Sequence, residues 1–589
     1  MNAQEEDQSS PRAGDAVSAA SRKRKAAGDV QTGTSHVTSA ATATATTSST
    51  DTNSTKGRRL NNLLTKLFGP DHATTGLELR PSPSDPQNYG VYATQHHPPN
   101  TVIGGSIPSS ALLDPLVVLR HHPLACRAVE LAGATPSFAF WLALASMAME
   151  FDDVGKISVE RFAPYDEYLW SLPRESPEPC SWSEEERNML SGTQLSKQVE
   201  GQLRLLREEY DRVAARLKEQ ETSNGDDASL QLPPFDDVDG RGVMPSLLWA
   251  RGCHISRSFP RSLVDAANVD MDNKKTKSNG DGDGDDDTTT LLKVQLGGWS
   301  VPKITYSGPV ESAPSPDDST TDGLSQGNNA TTPPDPNKIA GTLGVMFPFY
   351  DMLDHQAGHS ITWEAGNGTI RFRCVDEIKA GEQIYNNYGP KGNQELLFTY
   401  GFAIADNPLD SVEGIVFGCR CPEDDYEEDS AKLLHEARME LLREHDVPHK
   451  VENGSLVMGP FALFAKLPTA SAKIGESDEQ HDGEEGEGGS VMPQELLFAL
   501  SVLGMEDVEE GPGLSPYEID MLRQQFGARI NAMQVDGKEV GDAKDDDACT
   551  FSRAGFVASY KRGQVQLLRS AIADLDAMVR GEGYDDDQG

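Results

Sequence analysis

At 589 residues the chain is too long for one ordinary hydrophobic core, so two or more domains are expected. A net charge of −41 argues against the basic face that nucleic-acid binders present, and 37% hydrophobic residues fits a folded protein interrupted by polar inserts. Seven cysteines without regular spacing exclude a disulfide framework, and Cys419 and Cys421 lack the further ligands a structural zinc needs.

In chain order, residues 1 to about 60 are rich in Ser, Thr, Ala and Gly and are expected to be disordered. Two basic clusters there, Arg22–Lys25 and Lys56–Arg59, are either nuclear-import signals or simply solvated. The acidic opening has no apolar signal region, and no stretch reaches the roughly 18 apolar residues that span a bilayer. The expectation is a soluble intracellular protein, cytoplasmic or nuclear or both, with no membrane or nucleic-acid partner.

Order is expected from Leu77, with extended segments over Gly90–Ala93 and Thr101–Pro108 and a helix over Phe138–Phe151. Leu195, Val199, Leu203, Leu206, Tyr210, Val213 and Leu217 recur at steps of three and four, which predicts a helix with one apolar stripe. Two polar inserts follow, about 266–290 and 306–337, with a strand-like piece, Leu291–Ile304, between them. The first insert is acidic and lacks the glycine and closing glutamate of a calcium loop. Alternating apolar residues on either side of Gly366-Asn367-Gly368 predict a β-hairpin. From about Asp424 the texture is helical: Ser430–Glu444, Gln494–Leu503, Pro516–Met533 and Phe556–Arg580, separated by acidic loops. That pattern predicts a separate all-α domain.

Three local patterns carry the chemistry: Phe347-Pro-Phe-Tyr-Asp-Met-Leu-Asp354-His355; Asp376 through Tyr388-Gly389; and Asn393-Gln-Glu-Leu-Leu-Phe-Thr-Tyr400-Gly401-Phe402. Each alone has a structural reading: an Asp-His pair closing a turn, an aromatic packed on a bend, an N-cap. Together and in this order they resemble the SET-domain methyltransferases, and more narrowly the subfamily of Rubisco large-subunit and ribosomal-protein lysine methyltransferases. Gln87-Asn-Tyr-Gly-Val-Tyr-Ala93, Tyr168-Leu-Trp-Ser-Leu-Pro173, Ser256-Arg257-Ser-Phe259 and Tyr560-Lys-Arg-Gly-Gln564 extend the likeness over about 77–582, less the inserts.

The resemblance implies an α+β SET fold of small sheets with a knot-like C-terminal crossing. A SET domain would span 77–423 with a helical insert at about 136–245, and a helical substrate-binding domain 424–582. It implies S-adenosylmethionine as cofactor, no metal, and transfer of a methyl group to a lysine on a non-histone intracellular protein, basic, ribosomal or other, by a monomer. A lysine amine is mostly protonated at neutral pH, with a pKa of about 10.4, and an apolar aromatic channel disfavours that ammonium.

By the same resemblance Tyr388 is the catalytic tyrosine and also meets the cofactor. Gln87, Asn88, Tyr89, Arg257, Asp354 and His355 bind the cofactor, Arg257 through its carboxylate. Asp351, Tyr400 and Phe402 face the substrate, and Asn393 supports the crossing. Two positions depart from the family: Asp354 stands where asparagine is usual, and Asn88 stands where glycine is usual. A carboxylate only accepts, whereas an amide also donates. The motifs leave a histidine acceptor open. A non-catalytic module that kept the fold is supported by Asp354 and opposed by the presence of Tyr388, Arg257 and Tyr400.

Overall fold

The computed structural model describes residues 62–65, 67, 76–81, 89–152, 166–224, 231–236, 240, 242–268, 292–294, 343–356, 359, 361–421, 429–465, 491–509, 511–533 and 552–580. The expected N-terminal tail, most of the two polar inserts, the acidic loops at 475–490 and 534–548, and Gln87 and Asn88 lie outside them.

The described strands are β1 (Leu77–Pro81), β2 (Tyr89–Ala93), β3 (Val102–Pro108), β4 (Ser258–Phe259), β5 (Leu292–Val294) and β6 (Val345–Met346). They continue with β7 (Ile361–Gly366), β8 (Thr369–Cys374), β9 (Gln383–Ile384), β10 (Ser411–Arg420), β11 (His449–Glu452) and β12 (Ser455–Phe464). They form small sheets in the orders β1-β2-β9, β3-β8-β7-β5, β4-β6 and β10-β12-β11, with every pairing antiparallel. The β7–β8 hairpin turns through Asn367 and Gly368 at φ 52° and 73°, the left-handed pair that such a two-residue turn requires.

Helices fill the space between β3 and β4. Pro136–Asp152 is buried on every side from Phe138 to Ala145, so it forms the centre of the core rather than a surface helix. The long helix Gln194–Asn224 carries the expected stripe and serves two clusters with it. Leu195 and Val199 pack with Leu397, Val557 and Tyr560, while Leu206, Val213 and Leu217 join the larger core around Phe138, Trp249 and Phe372.

The segment from residue 424 onward is not purely helical, and this corrects the all-α expectation. The helices Asp429–Glu444, Gln494–Leu503, Pro516–Met533 and Arg553–Arg580 are present, but they pack on the sheet β10-β12-β11. Two features hide that sheet in the sequence. In β12 the buried residues Leu456 and Met458 fall out of phase with Phe461 and Leu463 across Gly459-Pro460, a pair that reads as a break. In β10, register shifts on either side of Ile415 spoil the two-residue period. This second core also starts earlier than residue 424, at Val412.

Candidate active site

The site is built on the chain from β6 to His355. Phe349 is fully buried at φ 76°, a conformation costly for a bulky residue. It turns the chain into the short 3-10 turn Tyr350–Met352, whose Asp351 backbone N–H returns to Phe347 O at 3.0 Å. The chain then crosses the 386–389 segment. Asn386 N–H donates to Asp354 O at 2.8 Å, and Gln356 N–H donates to Asn386 O at 2.9 Å, with His355 and Asn386 bridged in parallel.

Arg257 ends the helix Leu247–Arg257 and points Nη1 at Asp351, 3.1 Å from the carbonyl oxygen and 3.2 Å from Oδ2. Tyr168 donates its hydroxyl to the same Oδ2 at 2.8 Å. Burial raises the Asp351 carboxyl above the ordinary range, and the charge of Arg257 works against that rise. Burial likewise disfavours the Arg257 cation, and Asp351, with smaller help from Tyr168, Cys253 and Tyr388, more than offsets it. Oδ1 of Asp351 is buried with no hydrogen-bond partner among the described residues. The side chain of Asp351 is therefore not an open substrate-facing group: it lies inside, fixing Arg257, with one acceptor to spare.

Tyr388 is held at both ends. Its N–H donates to Nδ1 of His355 at 3.0 Å, and its hydroxyl donates to Leu353 O at 2.9 Å. The first bond makes Nδ1 an acceptor and leaves the imidazole proton on Nε2. Burial, then the charge of Lys391, pushes His355 down to about 4, so the ring is neutral at physiological pH. Burial, then the carboxylate of Asp354, raises Tyr388 far above an ordinary phenol. It is a neutral hydrogen-bonding group and cannot serve as a general base.

An aromatic wall surrounds it. His355 stacks on Tyr388 with centroids 5.0 Å apart, Tyr400 lies 4.7 Å from Tyr388, and Phe402 lies 6.2 Å from both His355 and Tyr400. The helix Asn393–Tyr400 delivers Tyr400, and Gly401 ends it at φ 78°. A Cβ on Gly401 would stand 2.0 Å from the Pro177 carbonyl oxygen, so glycine alone allows the turn into Phe402. Asn393 is not an N-cap. Its Nδ2 donates to Ile404 O at 2.9 Å and to Asp410 Oδ2 at 3.1 Å, and its Oδ1 accepts from Ile404 N at 2.8 Å, tying down the loop after Phe402.

Asp354 stands at the solvent-accessible rim. Gln383 donates its amide to Asp354 Oδ2 at 2.5 Å, and Gln383 Oε1 accepts from the hydroxyls of Tyr92 and Tyr385, each at 3.2 Å. Tyr89 opens β2, half-buried against this core. The structure thus gathers Arg257, Asp351, Asp354, His355, Tyr388, Tyr400 and Phe402 around one crossing.

Sequence reading missed four members. Tyr168 sits inside a quoted motif, but its reach to Asp351 spans 183 positions. Gln383, Tyr92 and Tyr385 meet through the pairing of Tyr92 with Gln383 across β2 and β9, which has no local signal.

No protein-family model matches the chain. It is similar to the ribosomal lysine N-methyltransferase set10 of Schizosaccharomyces pombe, 38% identical over 78 residues, 13% of this chain and 14% of that protein. It is also similar to ribosomal lysine N-methyltransferase 1 of Saccharomyces cerevisiae, 38% identical over 12% of each chain. The chain thus spans about one-seventh or less of the length of these curated relatives. The N-lysine methyltransferase setd6 of Danio rerio matches over more, 29% identical across 28% of this chain and 38% of its own. Among solved structures, Rubisco LSMT bound to sinefungin and monomethyllysine superposes with a TM-score of 0.51 at 13% identity, covering 90% of this chain and 93% of that one. The SET domain of LSMT bound to lysine and AdoHcy gives 0.50 at 13% identity, with the same coverage. At that identity the likeness establishes the fold.

Proposed function

We propose that this chain, which has the SET fold of the Rubisco large-subunit methyltransferases, is a protein methyltransferase that uses S-adenosylmethionine to methylate lysine on non-histone proteins. One observation carries the reading. Tyr388, a half-buried neutral phenol pinned by Leu353 O and His355 Nδ1, stands inside a half-open aromatic wall beside a fixed Arg257.

The residues present fit such a cofactor. Nη2 and Nε of Arg257 make no hydrogen bond among the described residues and suit a carboxylate, and nearby stands the carboxyl of Asp354, which burial raises and Gln383 and Arg257 work to lower. When bound, the cofactor supplies an electrophilic methyl group on a sulfonium sulfur. Tyr400, Phe402 and His355 exclude water from the acceptor amine and disfavour its ammonium form. Tyr388 orients amine and methyl group in line, and positioning of this kind supplies much of the rate. With no described residue suited as a base, the amine must arrive unprotonated.

The cofactor and the protein substrate class follow the relatives' names and the geometry of the site. A cytoplasmic or nuclear location, a basic substrate drawn by the chain's negative charge, and a monomeric state belong to the same proposal. Incubating purified chain with labelled cofactor and cell-extract proteins tests it. Label on protein lysines, lost in Tyr388→Phe, is expected; no label, or equal label from the variant, overturns it.

A further inference from the structure

Asp354 departs from the asparagine usual in the resembling family, and the charges around it give that departure a consequence. The inference rests on the methyl-transfer reading above. Arg257 and Asp351 cancel in their ion pair, and Lys391 is paired with Glu395. Asp354 has no cationic partner at contact among the described residues: its Oδ2 is held only by the neutral amide of Gln383 at 2.5 Å. Gln383 is itself fixed, by the hydroxyls of Tyr92 and Tyr385 on one side and by β2 on the other, where a Cβ on Gly90 would stand 2.7 Å from its Nε2. The carbonyl of the preceding residue, Leu353, holds the Tyr388 hydroxyl at 2.9 Å. A fixed carboxylate therefore hangs one residue from the reacting centre, and the cluster carries one surplus negative charge.

We propose that Asp354 is a specificity-determining residue that reads the positive charge of the methyl donor, favouring S-adenosylmethionine over S-adenosylhomocysteine. In the transfer the amine nitrogen bonds the methyl carbon, the carbon–sulfur bond breaks, sulfur keeps the electron pair and becomes neutral, and the positive charge passes to the methylated nitrogen of the substrate. The attraction to Asp354 ends at that step, so the spent cofactor is released in preference to the fresh one. Asp354 reaches Tyr388 electrostatically, being the largest influence on that phenol after burial, and it also feels Arg257. Asparagine at 354 would keep the bond from Gln383 through its own carbonyl oxygen and remove only the charge.

Calorimetric titration of the full chain with three ligands tests this: S-adenosylmethionine, S-adenosylhomocysteine, and sinefungin, in which an amine replaces the sulfonium. Asp354→Asn should weaken S-adenosylmethionine and sinefungin about tenfold and S-adenosylhomocysteine less than about twofold, as expected when one partly screened unit-charge attraction is removed. In the wild type, added salt should erode S-adenosylmethionine affinity and spare S-adenosylhomocysteine, a measurement independent of how the variant folds. Equal weakening of all three ligands, no change in any, or equal salt dependence overturns the inference. Failure of the wild type to bind any of the three instead overturns the methyltransferase reading, and this inference with it.

Discussion

One segment, Phe347–His355, feeds two aromatic clusters with opposite characters. On the inner side Phe347, Tyr350, Trp363 and Phe372 are at most 1% exposed, with rings 5.0 to 5.6 Å apart. On the outer side His355, Tyr388, Tyr400 and Phe402 are only half-buried. Each cluster has a tyrosine that gives its hydroxyl to a backbone carbonyl, Tyr350 to Ile103 O at 2.6 Å and Tyr388 to Leu353 O at 2.9 Å. Hydrogen bonding therefore does not separate structure from site. Access does: the inner rings have every face covered, while the outer ones stand partly open around a fixed polar group, as a binding channel must.

The hardest test of the contrast is to empty each cluster in turn. Trp363→Ala should cost about 3–5 kcal/mol of unfolding free energy in a denaturant titration, with the folded fraction still active. Tyr388→Phe should do the reverse: kcat lower by at least about a hundredfold, with stability within about 1 kcal/mol of wild type. Tyr350→Phe is the mirror image, leaving Ile103 O buried and unsatisfied at a cost of about 1–3 kcal/mol while kcat holds. If Tyr350→Phe loses activity as steeply as Tyr388→Phe at equal stability, the division between the clusters is wrong.

Much of this was legible in the sequence because it is local. The β7–β8 hairpin follows from alternation and a turn that tolerates positive φ, and the helix Gln194–Asn224 follows from one stripe. Arg257, Asp354, His355, Tyr388 and Tyr400 could be picked out because they sit in short ordered motifs. What escaped depends on pairing at a distance. Asp351 is closed off by Tyr168, which arrives from another helix, and the Gln383 network exists only because β2 meets β9. The sheet β10-β12-β11 escaped because Gly459-Pro460 and the bulges around Ile415 shift its alternation.

Two histidines, one in the enclosed core and one in the open wall, also differ in how they are held. His254, fully enclosed, accepts from Trp141 Nε1 at 3.1 Å through Nδ1 and contacts Gly344 O at 2.9 Å through Nε2. Burial pushes both His254 and the more open His355 down to about 4. A depressed folded-state value means the unfolded chain binds protons first as pH falls from about 6.5. Their contribution to stability is then full above about pH 6.5 and lost between there and about pH 4. Asp410, raised by burial to about 6, opposes this over much of the same window. His122 is likewise lowered by burial to about 4, so with three such rings against one carboxyl raised to about 6 the unfolding midpoint should hold above pH 6.5 and fall below it. A midpoint that rises on acidification would show the carboxyl dominating.

The smallest effect concerns the joint between the channel and the last helix. Tyr560, fully buried in the helix Arg553–Arg580, donates its hydroxyl to Gln394 Oε1 at 3.0 Å, in the first turn of the helix that ends at Tyr400. Tyr560→Phe leaves that acceptor buried and short of a donor, which should cost about 1–2 kcal/mol in unfolding. Tyr400 is also held by Gly401 against Pro177 and by the Asn393 ties to Ile404 and Asp410, so its position survives the loss of one bond. The variant should therefore lose stability with kcat within about twofold, behaving like the inner cluster. A larger fall in kcat, with KM unchanged, would place Tyr560 among the groups that position the channel and move the boundary between the two regions to the last helix.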